Sequence, residues 1–180
     1  MARSYYVSPL PPFHRADGAT LTAAALAEAS PTPPVIIPGG LLEEGSRLEF
    51  QAFGRLSQAA TPGTSVWGIY IGTAAIAVGQ AAIVSSAIAG LASRSNTTWR
   101  IEGNASVRTV GSGTAATIIG TLEITGVGNN AQPTTDLAPA SSPTAFAFDS
   151  TVNNFLRLGY TPSVATASMT CHYFGCRLVN

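Results

Sequence analysis

From Leu56 to Ser93 the chain carries no charged residue. Arg55 and Arg94 bracket these 38 positions, and within them runs VWGIYIGTAAIAVGQAAIVSSAIAGLA. A stretch this apolar must be covered by lipid, by the chain's own core or by another subunit, because large exposed apolar patches invite aggregation. Its 27 residues exceed the roughly 20 that a helix needs to cross a bilayer. Three features disfavour a membrane helix. Gly68, Gly72, Gly79 and Gly90 recur, with Gln80, Ser85 and Ser86 in the interior. Val66–Ile71 is strand-like rather than leucine-rich, and amphipathic strand patterns flank the window. No cluster of basic residues marks a cytoplasmic side. The window is therefore expected to form two or three strands, one face in the core and the other against neighbouring copies of the chain. Val66, Trp67, Ile69, Ile71 and Ile76 are the expected contacts between copies.

Charged residues make up 10% of the chain, against about 25% in an ordinary domain. A surface this poor in charge is expected to be hidden largely by other chains. The 180 residues suit one domain, perhaps with an appended arm. Nine basic residues, all Arg, balance nine acidic ones, and a neutral chain lacks the basic face that nucleic acid requires. MARSYYVSPLPPF holds no apolar leader, so cytoplasmic synthesis is expected. Cys171 and Cys176 lie five residues apart. On one regular strand they would point to opposite faces, about 16 Å apart at about 3.3 Å per residue, too far for a disulfide. Both are expected to be reduced and buried.

Residues 1–34 are expected to form an extended arm, and 35–180 an all-β domain. Pro9, Pro11, Pro12, Pro31, Pro33, Pro34 and Pro38 crowd the first 40 residues, which excludes a central strand or a long helix there. Leu21–Ala29 fits either a short helix or an extended edge segment. The arm should lie on something: its own domain, a neighbour or a scaffold. Tyr5, Tyr6 and Phe13 are its expected anchors, with Pro9, Pro11 and Pro12 holding it extended.

After residue 40 the pattern turns to β. Arg47–Ala52 alternates, placing Leu48, Phe50 and Ala52 on one face. Ser65–Ile71, Ala74–Val78, Ala82–Ile88, Thr98–Val110, Thr114–Thr125, Thr144–Asp149, Asn154–Tyr160 and Val164–Val179 are further strand candidates. In Thr98–Val110, Trp99, Ile101, Gly103, Ala105, Val107 and Thr109 share one face. Eight to ten short strands divided by Gly, Asn and Pro turns predict an antiparallel sandwich or barrel.

The chemical inventory points away from an enzyme. His14 sits in the arm and His172 on the last strand, and Cys171, His172 and Cys176 lack metal-ligand spacing. Glu49, Glu102 and Glu123 are expected to pair with Arg47, Arg100 or Arg108 across strands. No nucleophile elbow, phosphate loop, dinucleotide fingerprint or calcium loop is present in the sequence, and no cofactor is expected. Trp67, Tyr70 and Trp99 suit a sugar-stacking platform, but their strand positions favour core or interface.

A family resemblance rests on a run of segments. These are Val35–Pro38, Leu42–Arg55, the strand ending Ile69–Gly72, Trp99–Gly103, Val107–Gly111, Phe148–Thr151 and Asn154–Leu156. Over about residues 35–180 the chain resembles small tailed-bacteriophage virion proteins with a jelly-roll sandwich that assemble as trimers. The resemblance implies an antiparallel jelly-roll β-sandwich, a homotrimer, and a non-enzymatic place in the virion. It implies a capsid decoration or cement protein whose arm clamps the major capsid protein on the capsid surface. A tail fibre, spike or host-receptor binder is the alternative. Neither nucleic acid nor membrane is an expected partner.

Overall fold

A computed structural model describes residues 4–5, 16–90, 92–126, 136–138, 145–162, 164 and 167–179. Among them no helix occurs, and twelve strands form two antiparallel sheets. They are β1 (Ser4–Tyr5), β2 (Ala27–Glu28), β3 (Val35–Ile37), β4 (Arg47–Ser57), β5 (Thr64–Gly72), β6 (Val84–Ala89), β7 (Thr97–Thr109), β8 (Ala116–Thr125), β9 (Asp136–Ala138), β10 (Phe146–Phe148), β11 (Asn154–Thr161) and β12 (Ser168–Val179). The larger sheet runs β1-β12-β4-β7-β8-β10, with β9 also on β8. The smaller runs β2-β11-β5-β6, with β3 also on β11.

Period-two alternation selects the inward faces. Leu48, Phe50, Ala52 and Leu56 of β4 are buried, as are Trp99, Ile101, Ala105 and Val107 of β7. The smaller sheet answers with Trp67, Ile69 and Ile71 of β5 and with Leu156, Leu158 and Tyr160 of β11. The two sheets meet where Trp67 packs edge-on against Trp99, ring centroids 4.9 Å apart, and tilts against Tyr160 at 4.5 Å. Each large side chain so enclosed contributes about 1.5–3 kcal/mol relative to exposure. Two polar handles inside the core are matched, since Trp99 Nε1 donates to the Arg55 carbonyl at 3.1 Å and Tyr160 shares a 3.1 Å bond with Ser65 Oγ, whereas Trp67 Nε1 is buried without a partner among the described residues.

Thr109 does not follow its expected face. A register shift between Val107 and Thr109 breaks the alternation, and Thr109 is exposed. Ala74–Val78, expected as a weak strand, is the loop between β5 and β6. Its alanines lack the branched or aromatic side chains that favour a pleated surface.

Of the supports left open for the proline-rich segment, residues 16–34 use the chain's own domain. Gly18 N donates to the Cys171 carbonyl, and Leu21 and Met169 exchange both backbone bonds. β2 and β3 then pair with β11, Ala27 opposite Tyr160 and Ile36 opposite Phe155. Leu21–Ala29 is thus extended rather than helical. The segment crosses from the edge of β12 to the edge of β11 and covers backbone groups that would otherwise template another chain. Prolines suit it because edge positions can spare a donor.

Candidate functional site

The uncharged window is covered mostly by its own chain. Trp67, Ile69 and Ile71, expected between copies, are enclosed in the core at 0%, 0% and 2% exposure, so they offer no surface to a second copy. Val66 and Ile76 are half-buried. Tyr70 points to the outer face of β5, yet it is only 4% exposed. A Cβ on Gly159 would fall 2.4 Å from its ring and 3.2 Å from Ile76 Cδ1, so the ring lies across the bare backbone of β11 under the β5–β6 loop. Burial pushes the Tyr70 phenol up. Trp67, Tyr70 and Trp99 therefore serve the interior and form no sugar platform. Val78, at 81% exposure, stands at the top of this loop, among Ala74, Ala75, Ala77 and Ala81, all exposed.

Tyr5 pairs through its backbone with Leu178. Tyr6, Pro9, Pro11, Pro12, Phe13 and His14 lie outside the described residues. Behind them, Arg157 Nη1 donates to both carboxylate oxygens of Glu28 at 2.6 Å, and its guanidinium sits 4.7 Å from the centroid of the Phe155 ring. Ser30 Oγ accepts from Leu158 N at 2.7 Å. The segment is thus fastened by charge as well as by backbone bonds.

Both cysteines are buried and free. They do not occupy opposite faces, however. The register of β12 against β4 shifts between Cys171 and Tyr173, and this bulge returns Cys176 to the core face that Cys171 already occupies. Burial pushes each thiol up to about 12. His172, the residue at the bulge, places Nδ1 2.9 Å from Asp17 Oδ2. Among the described residues no group of three or more His, Cys, Asp or Glu side chains could hold a metal.

Glu49 and Glu102 on the outer face of the larger sheet are held in ion pairs. Glu49 bonds Arg47 on its own strand and Arg177 on β12, with Arg177 Nε at 2.8 Å. The Arg177 hydrogen bond, aided by Arg47, holds the Glu49 carboxyl below its ordinary range. Glu102 pairs with Arg100, two residues away on β7. With its amide oxygen turned toward the Arg100 guanidinium, Gln51 accepts from Arg100 Nε at 3.2 Å and Nη2 at 2.6 Å. Glu123 stands opposite Glu102 in the β7–β8 register. The arginines expected as cross-strand partners do not fill that role among the described residues: Arg47–Glu49 and Arg100–Glu102 are neighbours along one strand, and the partner of Glu49 across strands is Arg177.

One row of this face is aromatic. Phe53, 42% exposed, lies opposite Tyr173 in the β4–β12 register, with ring centroids 5.3 Å apart and planes 15° from parallel. A Cβ on Gly175 would fall 2.2 Å from the Tyr173 hydroxyl, so that ring lies down over the backbone of β12. Sequence reasoning missed this pair. The signal was present in β4, where Arg47, Glu49, Gln51, Phe53 and Arg55 share the polar phase and Phe53 alone is apolar. Tyr173 gave no such signal, because the bulge at His172 sets its face.

No helix among the described residues is long and apolar enough to cross a membrane. No family model matches the chain, and no curated protein matches it. Among solved structures, it is similar to a crystal structure of a protein of unknown function from Shewanella oneidensis MR-1, with 11% identity over 99% of this chain and 85% of that one. The TM-score is 0.38, and a likeness at that level carries no argument about fold or role.

Proposed function

We propose that the chain is a non-enzymatic structural protein of a tailed-bacteriophage virion. In this proposal it is a homotrimeric jelly-roll decoration protein that bridges subunits of the major capsid protein on the capsid surface, after assembly in the host cytoplasm. The observation that carries it is the charge-free β5–β6 loop with Val78 at 81% exposure. A loop built mainly from Ala, Ile, Val and Gly, with Thr73 and Gln80 its polar side chains, is suited to contact with another protein surface. The jelly-roll assignment draws on nested pairing, β4 with β12 in one sheet and β5 with β11 in the other, around the β7–β8 hairpin. The catalytic alternative loses ground because Glu49 and Glu102 are occupied by arginines.

Since Trp67, Ile69 and Ile71 are internal, contact between copies falls to the loop around Ile76 and Val78 with Val66 beside it. Residues 16–34 are committed to the chain's own edges, as is the backbone of Ser4–Tyr5, so a capsid clamp would be confined to the rest of residues 1–15. Three linked clamps would hold by avidity even where each is weak. Light scattering of the purified chain should give a trimer, and Val78→Asp should shift it toward monomer without loss of folding. Removal of residues 1–15 should leave the trimer intact and abolish binding to capsids. Electron microscopy of particles should find the protein on the shell; density on the tail instead would favour the fibre or receptor-binding reading. A monomeric wild-type chain would overturn the trimer.

A further inference from the structure

We propose that β6 is the edge through which two copies of the chain join their smaller sheets into one, independent of any place in a virion. An open sheet edge templates pairing with another chain, and proteins blunt such edges with very short strands, charge, proline or bulges. Among the described residues every other terminal strand uses the first device. β1 and β2 have two residues, and β3, β9 and β10 have three. β6 ends the smaller sheet with six, Val84–Ala89. Its sequence, VSSAIA, holds no charge and no proline, and its register with β5 runs from Thr64–Ala89 to Ile69–Val84 without a shift. β9 approaches β6 across the rim of the sandwich, yet its backbone pairs with β8.

The alternation of an antiparallel ladder fixes which backbone groups of β6 stay free. Gly90 N donates to the Gly63 carbonyl, so the residues in step with Gly90, namely Ile88, Ser86 and Val84, turn their N–H and C=O groups to β5. Those of Ser85, Ala87 and Ala89 point away from β5. All three side chains are small and exposed, and they leave the approach along the edge unobstructed.

Geometry and charge select a second copy as the occupant. No other terminal strand among the described residues exceeds three residues, so a copy can match all six only with its own β6. Such a contact is isologous, about a twofold axis. Antiparallel β6–β6 pairing of the outward groups sets Ala87 opposite itself and Ser85 opposite Ala89, and no like charges meet. Six residues a side make a small contact, so the join forms as concentration rises. It is separate from the threefold contact proposed at the β5–β6 loop. A chain that uses β6 alone is a dimer, and a chain that uses both associates beyond the trimer.

Sedimentation and light scattering of the full chain over a range of concentrations test the join. The wild-type trimer should give way to larger assemblies as concentration rises. Ala87→Pro removes an N–H that β5 does not use, so it should leave circular dichroism unchanged and make the mass independent of concentration. Ala87→Lys, which sets a cation opposite its own copy, should do the same. Ala87→Cys should form a disulfide between chains on mild oxidation, because the Cα atoms of a hydrogen-bonded pair lie about 5.5 Å apart, whereas Ser95→Cys in the exposed β6–β7 loop should not. The proposal is overturned if the wild-type mass does not change with concentration at a monomer or trimer, if neither Ala87→Pro nor Ala87→Lys alters the association, or if Ala87→Cys crosslinks no faster than Ser95→Cys. A trimer with no larger species overturns the join and leaves the threefold contact standing; a dimer that Ala87→Pro dissociates supports the join and overturns the threefold contact.

Discussion

Cys171 and Cys176 show how burial, more than any other influence, sets reactivity. Their thiols are pushed up to about 12, so thiolate is scarce at neutral pH. Native protein at pH 8 should resist iodoacetamide, and both residues should alkylate once denaturant is added; rapid native alkylation of either would contradict their enclosure. Glu49 and Asp149 behave in the opposite sense. Glu49 is held below its ordinary 4.5 by Arg177 and Arg47. Asp149 is held below 3.8 by the Thr151 hydroxyl and by the Gly113 and Thr151 amides. A carboxyl whose pKa is lower when folded stabilises the fold above its unfolded value and loses that contribution as pH falls through the folded value. Stability should therefore decline below about pH 4.5, and Glu49→Gln should flatten part of that decline in urea titrations at pH 3 to 6.

At the scale of elements, the segment 16–34 is the most consequential. Glu28 neutralises Arg157, whose side chain is 11% exposed. Glu28→Ala should cost about 1–3 kcal/mol, less than for a fully buried pair because both groups keep some contact with water. Chemical denaturation reads this directly, and adding Arg157→Met should recover part of the loss by removing the stranded charge. Deletion of residues 1–34 should expose the edges of β11 and β12 and cause aggregation, whereas deletion of residues 1–15 should uncover only the end of β12 that β1 covers and leave the chain soluble. A soluble, cooperatively folding chain lacking 1–34 would show the strap to be dispensable. This segment also marks where sequence patterning loses sight of structure. Proline spacing announces that Pro31–Pro38 is extended, but nothing local says which edge it will cover. That choice depends on Leu158, Cys171 and Met169, which are remote in sequence.

For the whole molecule, the inner face of β5 serves folding, and the exposed β5–β6 loop is where the proposed assembly is tested. Ile69→Asp places a charge in a position with no exposure and should unfold the chain, at about 4 kcal/mol or more. Val78 is itself 81% exposed, and Val78→Asp should leave the thermal midpoint within a few degrees of wild type. Circular dichroism on both variants distinguishes the roles, and assembly is then measured on Val78→Asp alone. The sheets themselves were largely legible. Leu48, Phe50 and Ala52, like Trp99, Ile101, Ala105 and Val107, alternate strictly, and the core takes the side they share. The aromatic pair on the outer face of the larger sheet was legible only through Phe53, an aromatic residue in a polar phase.

The sequence by itself determined that this is an all-β chain and which residues line most of its core. Those properties follow from period-two alternation and from residue type, which act locally. Tertiary structure decided what covers the uncharged window. One face turned inward, and Tyr70 of the other lies beneath the β5–β6 loop because Gly159 on β11 left room for its ring. It also decided the outer face of β12. A single bulge at His172 reversed the alternation, joined Cys176 to Cys171 inside and set Tyr173 beside Phe53 outside. A bulge inserts one residue without altering composition or hydropathy, so strand phase beyond it is fixed only by pairing with β4.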